Sequence, residues 1–188
     1  MEKRNLSILF CDILGSTNLA DSLPMVDFVK LIKSYQACVE QEITLQYGYV
    51  AQYLGDGILA YFGYPMTFEG TSVRAIQAGL NILSALDKLE TAEEERHEVN
   101  LRTRISIHTG PVIITDVGRA DRREKLALGG TPNVAARLQR VAPEDGIAVS
   151  EVTYLEAHDH FEFRPLGSHL FKGLSTEMKV FQPILSLT

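Results

Sequence analysis

Two short apolar segments separated by a glycine-flanked aspartate place the strongest restriction on how this chain can fold. The segments cover residues 49–53 and 58–62, and Leu54-Gly55-Asp56-Gly57 lies between them. Asp-Gly is a favoured dipeptide in tight hairpin turns, so the two segments are predicted to pair as neighbouring antiparallel strands. The sequence therefore predicts an antiparallel sheet with Asp56 at the tip of one hairpin.

Strand-like and helix-like segments alternate along the rest of the chain. The apolar run 6–11 ends at Asp12 and is typical of a buried strand entering a tight loop. Apolar residues recur at helical spacing in 24–46 and 73–86, and Thr131-Pro132 can begin another helix. Further strands are predicted at 101–107, 112–117 and 126–128, with short strands around one more helix from residue 146 onward. This mixture predicts an α+β sheet layered with helices.

Three connecting segments are predicted from their turn-forming or charged residues. Thr109-Gly110-Pro111 is predicted to turn between two strands, and residues 91–100 are predicted to form a charged, solvated loop. Residues 119–125 are predicted to form a polar tip with charges of alternating sign. The sequence contains no repeats and no internal boundary, so residues 1–188 are predicted to be a single domain.

The composition narrows the kinds of partner that the chain can have. A formal net charge of -6 argues against a duplex nucleic-acid binder, which needs a basic face. It does not argue against a nucleotide site, because bound metal ions supply positive charge locally. The chain has no apolar run long enough to span a membrane and no signal-peptide pattern at its start. We therefore expect a cytoplasmic protein that binds neither membranes nor nucleic acid.

Two aspartates are candidate metal ligands. Asp12 ends a predicted strand and Asp56 lies at a predicted hairpin tip, and glycines nearby let the backbone approach a ligand closely. If the fold brings these carboxylates together, they can hold two hard cations such as Mg²⁺ or Mn²⁺. Each aspartate also has a simpler interpretation, as a turn residue or a helix cap, and spacing alone favours that interpretation.

Other polar residues could contact a phosphorylated ligand. Asn133 and Arg137 are four residues apart on a predicted helix and share one face, where an amide and a guanidinium can bind sugar and phosphate oxygens. A solvated polar face explains them equally well. Backbone N–H groups at Gly15-Ser16-Thr17 can cradle phosphates, although no Walker pattern is present, and Lys172 is either a phosphate contact or part of a surface turn. The residues alone indicate no more than metal-dependent phosphate chemistry.

Four segments in a fixed order resemble the catalytic domains of class III adenylyl and guanylyl cyclases, and they cover nearly the whole chain. They are 8–17, 52–63, 104–110 and 128–138, and Lys172-Gly173 follows near the end. The resemblance implies a ferredoxin-like βαββαβ core with extra strands, the class III nucleotide cyclase fold. It also implies a head-to-tail homodimer with active sites at the interface. The sequences of these segments are most similar to those of bacterial cyclases in which this domain precedes further regions. This similarity implies regulatory domains in a longer parent chain.

The resemblance implies a role for each candidate residue. Asp12 and Asp56 match the aspartates that bind two divalent metal ions, Mg²⁺ or Mn²⁺, and Ile13 matches a residue that contributes its backbone carbonyl. Asn133 matches the residue that positions the ribose, Arg137 the residue that stabilises the transition state, and Lys172 the terminal-phosphate contact. The substrate-binding loop comprises Leu14, Gly15, Ser16 and Thr17. The implied reaction converts ATP to 3′,5′-cyclic AMP and pyrophosphate.

Two positions depart from the pattern of adenylyl cyclases. Gln52 replaces the usual base-reading lysine, and Leu126 aligns with the usual aspartate or threonine. An amide both donates and accepts hydrogen bonds, whereas leucine does neither, so base reading is expected to be weakened. The sequence therefore predicts an ATP-using enzyme with modest preference over GTP. The alternatives are a guanylyl or dual-specificity cyclase, or a nucleotide-binding regulatory domain with little or no turnover.

Overall fold

A computed structural model of the chain describes residues 1–97, 101–119 and 122–187. Within these residues the strands are β1 Glu2–Ile13, β2 Tyr49–Leu54, β3 Gly57–Phe62, β4 Thr103–Arg119, β5 Arg122–Leu128, β6 Gly146–Ser150, β7 Phe161–His169 and β8 Met178–Ser186. The helices are α1 Ser16–Ser22, α2 Met25–Leu45, α3 Thr71–His97, α4 Gly130–Leu138 and α5 Glu151–Ala157.

The strands form one mixed sheet in the order β2-β3-β1-β4-β6-β8-β7, and β5 pairs with β4 beside this path. β1 is antiparallel to both β3 and β4, whereas β4 and β6 are parallel. The units β1, α2, β2, β3, α3 and β4 reproduce the predicted βαββαβ core, and the later strands extend the sheet. The predicted α+β, ferredoxin-like fold is therefore confirmed.

The two faces of the sheet are covered differently. Alternate residues of β1, including Leu9 and Cys11, pack with α2 and α3 in a large apolar cluster. The intervening residues, including Leu6 and Ile8, face the other way and pack with Ala135 of α4 and with β5. Because side chains alternate across a strand, Asp12 belongs to the same face as Leu6 and Ile8. That face, covered by α4 and β5, is called the α4 face below.

The hairpin predicted around Asp56 is confirmed. β2 and β3 are joined by Gly55 and Asp56, and Gly55 has a φ of 69°, a left-handed conformation that favours glycine. β3 is completely buried beside β1, which fixes the position of the hairpin relative to the end of β1.

The turn predicted at Thr109-Gly110-Pro111 is wrong, because β4 continues through these residues. Gly110 lies opposite Leu6 of β1, and a Cβ atom on Gly110 would lie 2.8 Å from Thr131 Oγ1. The Thr131 hydroxyl donates a hydrogen bond of 2.8 Å to the Pro111 carbonyl and does not cap α4, whose N-cap is Gly129. The glycine and proline therefore mark a close approach of α4 to β4.

The charged loop predicted at 91–100 is also wrong for the part that the structure describes. α3 continues to His97, and residues 98–100 lie outside the described residues. The segment 91–97 contains no glycine or proline and is rich in glutamate, which favours helix.

The polar tip predicted at 119–125 belongs to a hairpin formed by β4 and β5. Pairing runs from Ile113 opposite Leu128 to Arg119 opposite Arg122, and residues 120–121 lie outside the described residues. We call residues 113–119 and 122–128 the β4–β5 arm. No helix in the described part of the chain is long and apolar enough to cross a membrane.

Candidate functional site

The structure brings Asp12 and Asp56 together. Asp12 is next to last in β1, and Asp56 lies in the turn of the β2–β3 hairpin that pairs with β1. A Cβ atom on Gly57 would lie 3.4 Å from Asp12 Oδ1, so the Asp12 carboxylate lies against the turn that carries Asp56. Burial, the charge of Asp56 and a hydrogen bond with Asp56 together raise the pKa of Asp12. The two side chains therefore form a crowded anionic pair at one edge of the α4 face.

The chemistry of this pair fits a divalent metal ion. Ionised carboxylates only accept, so two at hydrogen-bonding distance repel unless a proton or a cation lies between them. Within the described residues no three His, Cys, Asp or Glu side chains gather into a metal-binding group. Backbone, water and substrate oxygens, which Mg²⁺ and Mn²⁺ accept, would complete the coordination of an ion held by this pair. Ile13 buries its side chain, so only its backbone is available for such a role.

Arg104 is a neighbour of this pair that the sequence analysis did not single out. It lies directly opposite Asp12 in the β1–β4 pairing, so the two side chains leave the same face of the sheet. Its Nε atom is buried and has no hydrogen-bond partner among the described residues. In the sequence, Arg102 and Arg104 alternate with apolar residues, which indicates that their side chains share one face of a strand. The pairing register of β1 and β4 is needed to place Arg104 beside Asp12.

The predicted phosphate loop lies directly after β1, and its backbone is only partly free. Leu14 donates its N–H to the Arg102 carbonyl at 2.8 Å, so this group is already paired. Gly15 has a φ of 66°, and α1 begins at Ser16, followed by the exposed Thr17. Ser16 and Thr17 therefore remain the better candidates for contact with a ligand near Asp12.

Asn133 and Arg137 lie on the outer side of α4, as predicted. Asn133 is exposed, and its side chain donates a 3.4 Å hydrogen bond to the Gly129 carbonyl. Val134 and Leu138 are buried on the opposite side of the helix. Nine residues of helix thus present one amide and one guanidinium away from the core.

Arg137 and Lys172 line one cavity of about 280 Å³. The Arg137 guanidinium lies against Gly173, where a Cβ atom would be 3.3 Å from Arg137 Nη2. Arg140 and His169 also line this cavity. The guanidinium and ammonium groups make it suited to phosphate oxygens. Asp12 and Asp56 are not among the residues that line this cavity.

Gln52 contacts the β4–β5 arm. Its Nε2 donates a 2.9 Å hydrogen bond to Glu124 Oε2, and Leu126 lies half-buried two residues further along β5. Gln52 and Leu126 are predicted from the sequence, whereas Glu124 is found only in the structure. No local pattern marks Glu124, because its contact depends on β5 folding over β2.

The sequence and the fold have close parallels among known proteins. A family model described as "Adenylate and Guanylate cyclase catalytic domain" matches residues 1–183. Adenylate cyclase 1 of Rhizobium meliloti is 26% identical over 184 residues, and the adenylate cyclase of Anabaena cylindrica is 27% identical over 188 residues. These matches cover 97% and 95% of this chain but only 28% and 36% of the two relatives.

The solved structures agree with the family match. The adenylyl cyclase CyaB from P. aeruginosa superposes with a TM-score of 0.93 at 24% identity, over 99% of this chain and 97% of that one. At this identity the likeness shows the fold, whereas the family match covers nearly every residue. The chain belongs to the adenylate and guanylate cyclase catalytic domain family.

Proposed function

We propose that this chain is a nucleotide cyclase that converts ATP to 3′,5′-cyclic AMP and pyrophosphate at the interface of a homodimer. The observation that carries the proposal is the crowded pair of carboxylates, Asp12 and Asp56, at the end of β1. Membership of the cyclase family and the named adenylate cyclase relatives support it.

In this proposal Asp12, Asp56 and the Ile13 backbone carbonyl hold two divalent metal ions, Mg²⁺ or Mn²⁺. When bound, such ions favour ionisation of a hydroxyl and neutralise charge on phosphates. The aspartates also orient the 3′-hydroxyl of the ribose toward the α-phosphate, since positioning alone can supply much of the rate. Arg104, opposite Asp12 in the β1–β4 pairing, is proposed to bind a phosphate oxygen through its guanidinium.

The residues of α4 and the neighbouring cavity serve the other end of the substrate. Asn133 holds the ribose through its amide, and Arg137 donates to the oxygens that gain charge as the reaction proceeds. Lys172 binds the terminal phosphate in the cavity that it shares with Arg137. Ser16 and Thr17 contact the triphosphate from the loop after β1.

The reaction is an internal displacement at phosphorus. The ribose 3′-oxygen bonds to the α-phosphorus, the bond from that phosphorus to the leaving oxygen breaks, and pyrophosphate departs. The hydroxyl proton passes to solvent, and no side-chain base is needed once the oxygen is activated. Charge grows on the leaving oxygen, where Arg137 contributes most to rate.

A homodimer would join the two halves of the site. The cationic cavity is lined by neither Asp12 nor Asp56, so a second protomer is proposed to bring its Arg137 to the first protomer's Asp12. The β4–β5 arm supports this, because Ile113, Val117 and Leu128 expose 45–47% of their surface there. Exposed apolar groups of this kind mark contact surfaces.

We further propose that residues 1–188 act as one catalytic domain in the cytoplasm, within a longer parent chain that carries regulatory domains.

The base preference is proposed to be modest. The Gln52 amide can donate or accept, and Leu126 can do neither, so ATP is favoured over GTP by a small factor. GTP is the second candidate substrate for the same reason.

The test is to incubate the purified chain with Mn²⁺ and either ATP or GTP at several protein concentrations and to quantify cyclic product. We expect product from ATP that rises faster than linearly with protein and falls at least about 100-fold in Asp56→Asn. The matched control is Asp159→Asn, the same change at an aspartate whose side chain is 84% exposed. If nucleotide binds but no cyclic product forms at any concentration, the chain is a regulatory nucleotide-binding domain.

A further inference from the structure

We propose that Glu124 supplies the hydrogen-bond acceptor that reads the amino group of the purine base. This inference rests on the proposed function, since it names a residue that selects the substrate at that site. The acceptor position of the sequence pattern is Leu126, which cannot accept. Glu124 lies on the same strand and already contacts Gln52.

The bond between Gln52 and Glu124 fixes the direction of the Gln52 amide. An ionised carboxylate only accepts, so the amide must present its NH₂ group and not its carbonyl to Glu124. The observed geometry, Nε2 to Oε2 at 2.9 Å, has this sense. Reversing the amide would place two acceptors face to face. Glu124 therefore holds the NH₂ end of the Gln52 amide toward β5 and the carbonyl end away from it.

The alternation along β5 places Glu124 on the same side as Leu126. Lys125, between them, points to the other side and forms an ion pair of 2.6 Å with Asp116. The C-terminal end of β5 is held in place, because the Ala127 N–H donates a 3.1 Å hydrogen bond to the hydroxyl of Tyr61 in β3. This anchor holds β5 over the β2–β3 hairpin and keeps Glu124 within reach of Gln52.

Next to their shared bond the paired residues keep one donor and one acceptor side by side for a ligand, while the Gln52 carbonyl, a further acceptor, lies on the other side of the amide. Gln52 keeps its second N–H, and Glu124 keeps the oxygen that does not bond to Gln52. Adenine offers a donor, its exocyclic amine, next to an acceptor, N1. Guanine offers its own donors next to the O6 acceptor. Both bases can satisfy the pair, whereas a purine without an amino group leaves the carboxylate unpaired, which is costly once the base excludes water.

The experiment compares ATP with purine riboside 5′-triphosphate, which differs only by loss of the exocyclic amine. In the wild-type chain with Mn²⁺ we expect ATP to have the higher kcat/KM by about 30-fold, the effect of one hydrogen bond to a charged acceptor. In Glu124→Ala we expect the ratio to fall to within about 3-fold, because the charged acceptor that purine riboside triphosphate leaves unpaired is no longer present. In Glu124→Gln, whose amide oxygen still accepts, we expect an intermediate ratio.

The matched control is Asp116→Asn, which removes one negative charge from the same arm at a carboxylate that is paired with Lys125. It should keep the wild-type ratio. A residue that only fixes the arm would change both nucleotides equally, so an unchanged ratio in Glu124→Ala would overturn the proposal. A wild-type chain that does not distinguish the two nucleotides would overturn it as well.

A second readout separates this inference from the proposed function. Dissociation constants for both nucleotides, measured by displacement of a fluorescent ATP analogue, give the same ratio without turnover. If the wild-type chain makes no product from any nucleotide, the proposed function fails, and the binding ratio still decides the role of Glu124. Loss of the binding preference in Glu124→Ala supports the proposal, and its retention refutes it.

Discussion

Arg104 lies directly across from Asp12 in the β1–β4 pairing, and its Nε atom is buried without a hydrogen-bond partner among the residues that the structure describes. A buried guanidinium nitrogen in this condition is costly unless a ligand satisfies it. Arg102, two residues earlier and just before β4, is different, because its guanidinium forms ion pairs with Glu144 and Asp145. Arg102 and Arg104 therefore differ in what their side chains bind.

This difference predicts that Arg104 serves the substrate and Arg102 the fold. Arg104→Met should lower kcat/KM for ATP by about 100-fold, the usual effect of losing one charged donor at a reacting phosphate. Arg102→Met should change kcat/KM less than about 3-fold, since a surface ion pair contributes at most about 1 kcal/mol to stability. Steady-state kinetics with Mn²⁺ and urea unfolding measure both effects, and equal kinetic losses would refute the distinction.

The approach of α4 to β4 predicts different outcomes at two glycines. Gly110→Ala places a Cβ atom 2.8 Å from Thr131 Oγ1, where the Thr131–Pro111 hydrogen bond holds the helix. Overpacking of this kind should lower the free energy of unfolding by about 1–3 kcal/mol.

Gly130→Ala is the matched control, because nothing lies within 4 Å of the added Cβ atom. It should leave the free energy of unfolding unchanged or raise it by up to about 1 kcal/mol. Urea titration of both variants measures the difference, and a Gly110 variant as stable as the wild type would refute the packing argument.

His108 predicts a pH dependence of stability. Burial lowers its pKa from 6.5 to about 4, and its Nδ1 lies 2.7 Å from Ser150 Oγ. The unfolded chain takes up this proton near pH 6.5 and the folded chain only near pH 4, so the stabilising contribution is present above pH 6.5 and is lost as pH falls toward 4. The full contribution is up to about 3 kcal/mol.

His108→Gln should remove this component, because glutamine can still bond Ser150 but does not titrate. Urea unfolding at pH 7 and pH 4.5 should show a smaller loss of stability in the variant than in the wild type, by about 2 kcal/mol. His158→Gln, at an exposed histidine, controls for the loss of any imidazole. Identical pH dependence in the wild type and His108→Gln would contradict the prediction.

The sequence was most informative where structure is decided locally. The hairpin at Asp56 follows from its own turn residues, and the polar side of α4 follows from the spacing of Asn133 and Arg137. The wrong predictions arise where contacts between segments distant in the sequence decide the local structure. Gly110 resembles a turn residue, but it is required by a helix that begins twenty residues later.

The site residues that the sequence analysis missed have the same origin. Arg104 is placed by strand register, and Glu124 by the folding of β5 over β2, and neither contact is encoded within a few residues. Glu124 also lies two positions from the residue that the cyclase pattern marks, so a position-by-position comparison reads Leu126 as a loss. The structure shows that a carboxylate is still present on that side of the strand.

The proposed division of each site between two protomers predicts complementation between two inactive variants. Asp56→Asn removes the carboxylate of one half-site, and Arg137→Ala removes the guanidinium of the other. If each site takes one half from each protomer, every mixed dimer contains one intact site and one doubly damaged site. An equal mixture, in which half of the dimers are mixed, should therefore recover about a quarter of wild-type activity.

The control is a mixture of Asp56→Asn with Lys172→Ala. Lys172 lines the same cavity as Arg137, so this pair should complement as well. A mixture of Arg137→Ala with Lys172→Ala should not recover, because both changes damage the same half-site and no mixed dimer has an intact cavity. Absence of recovery in the first two mixtures, at protein concentrations where the wild-type chain is active, would show that each protomer forms its site alone. Recovery in the last mixture would show that Arg137 and Lys172 belong to different half-sites.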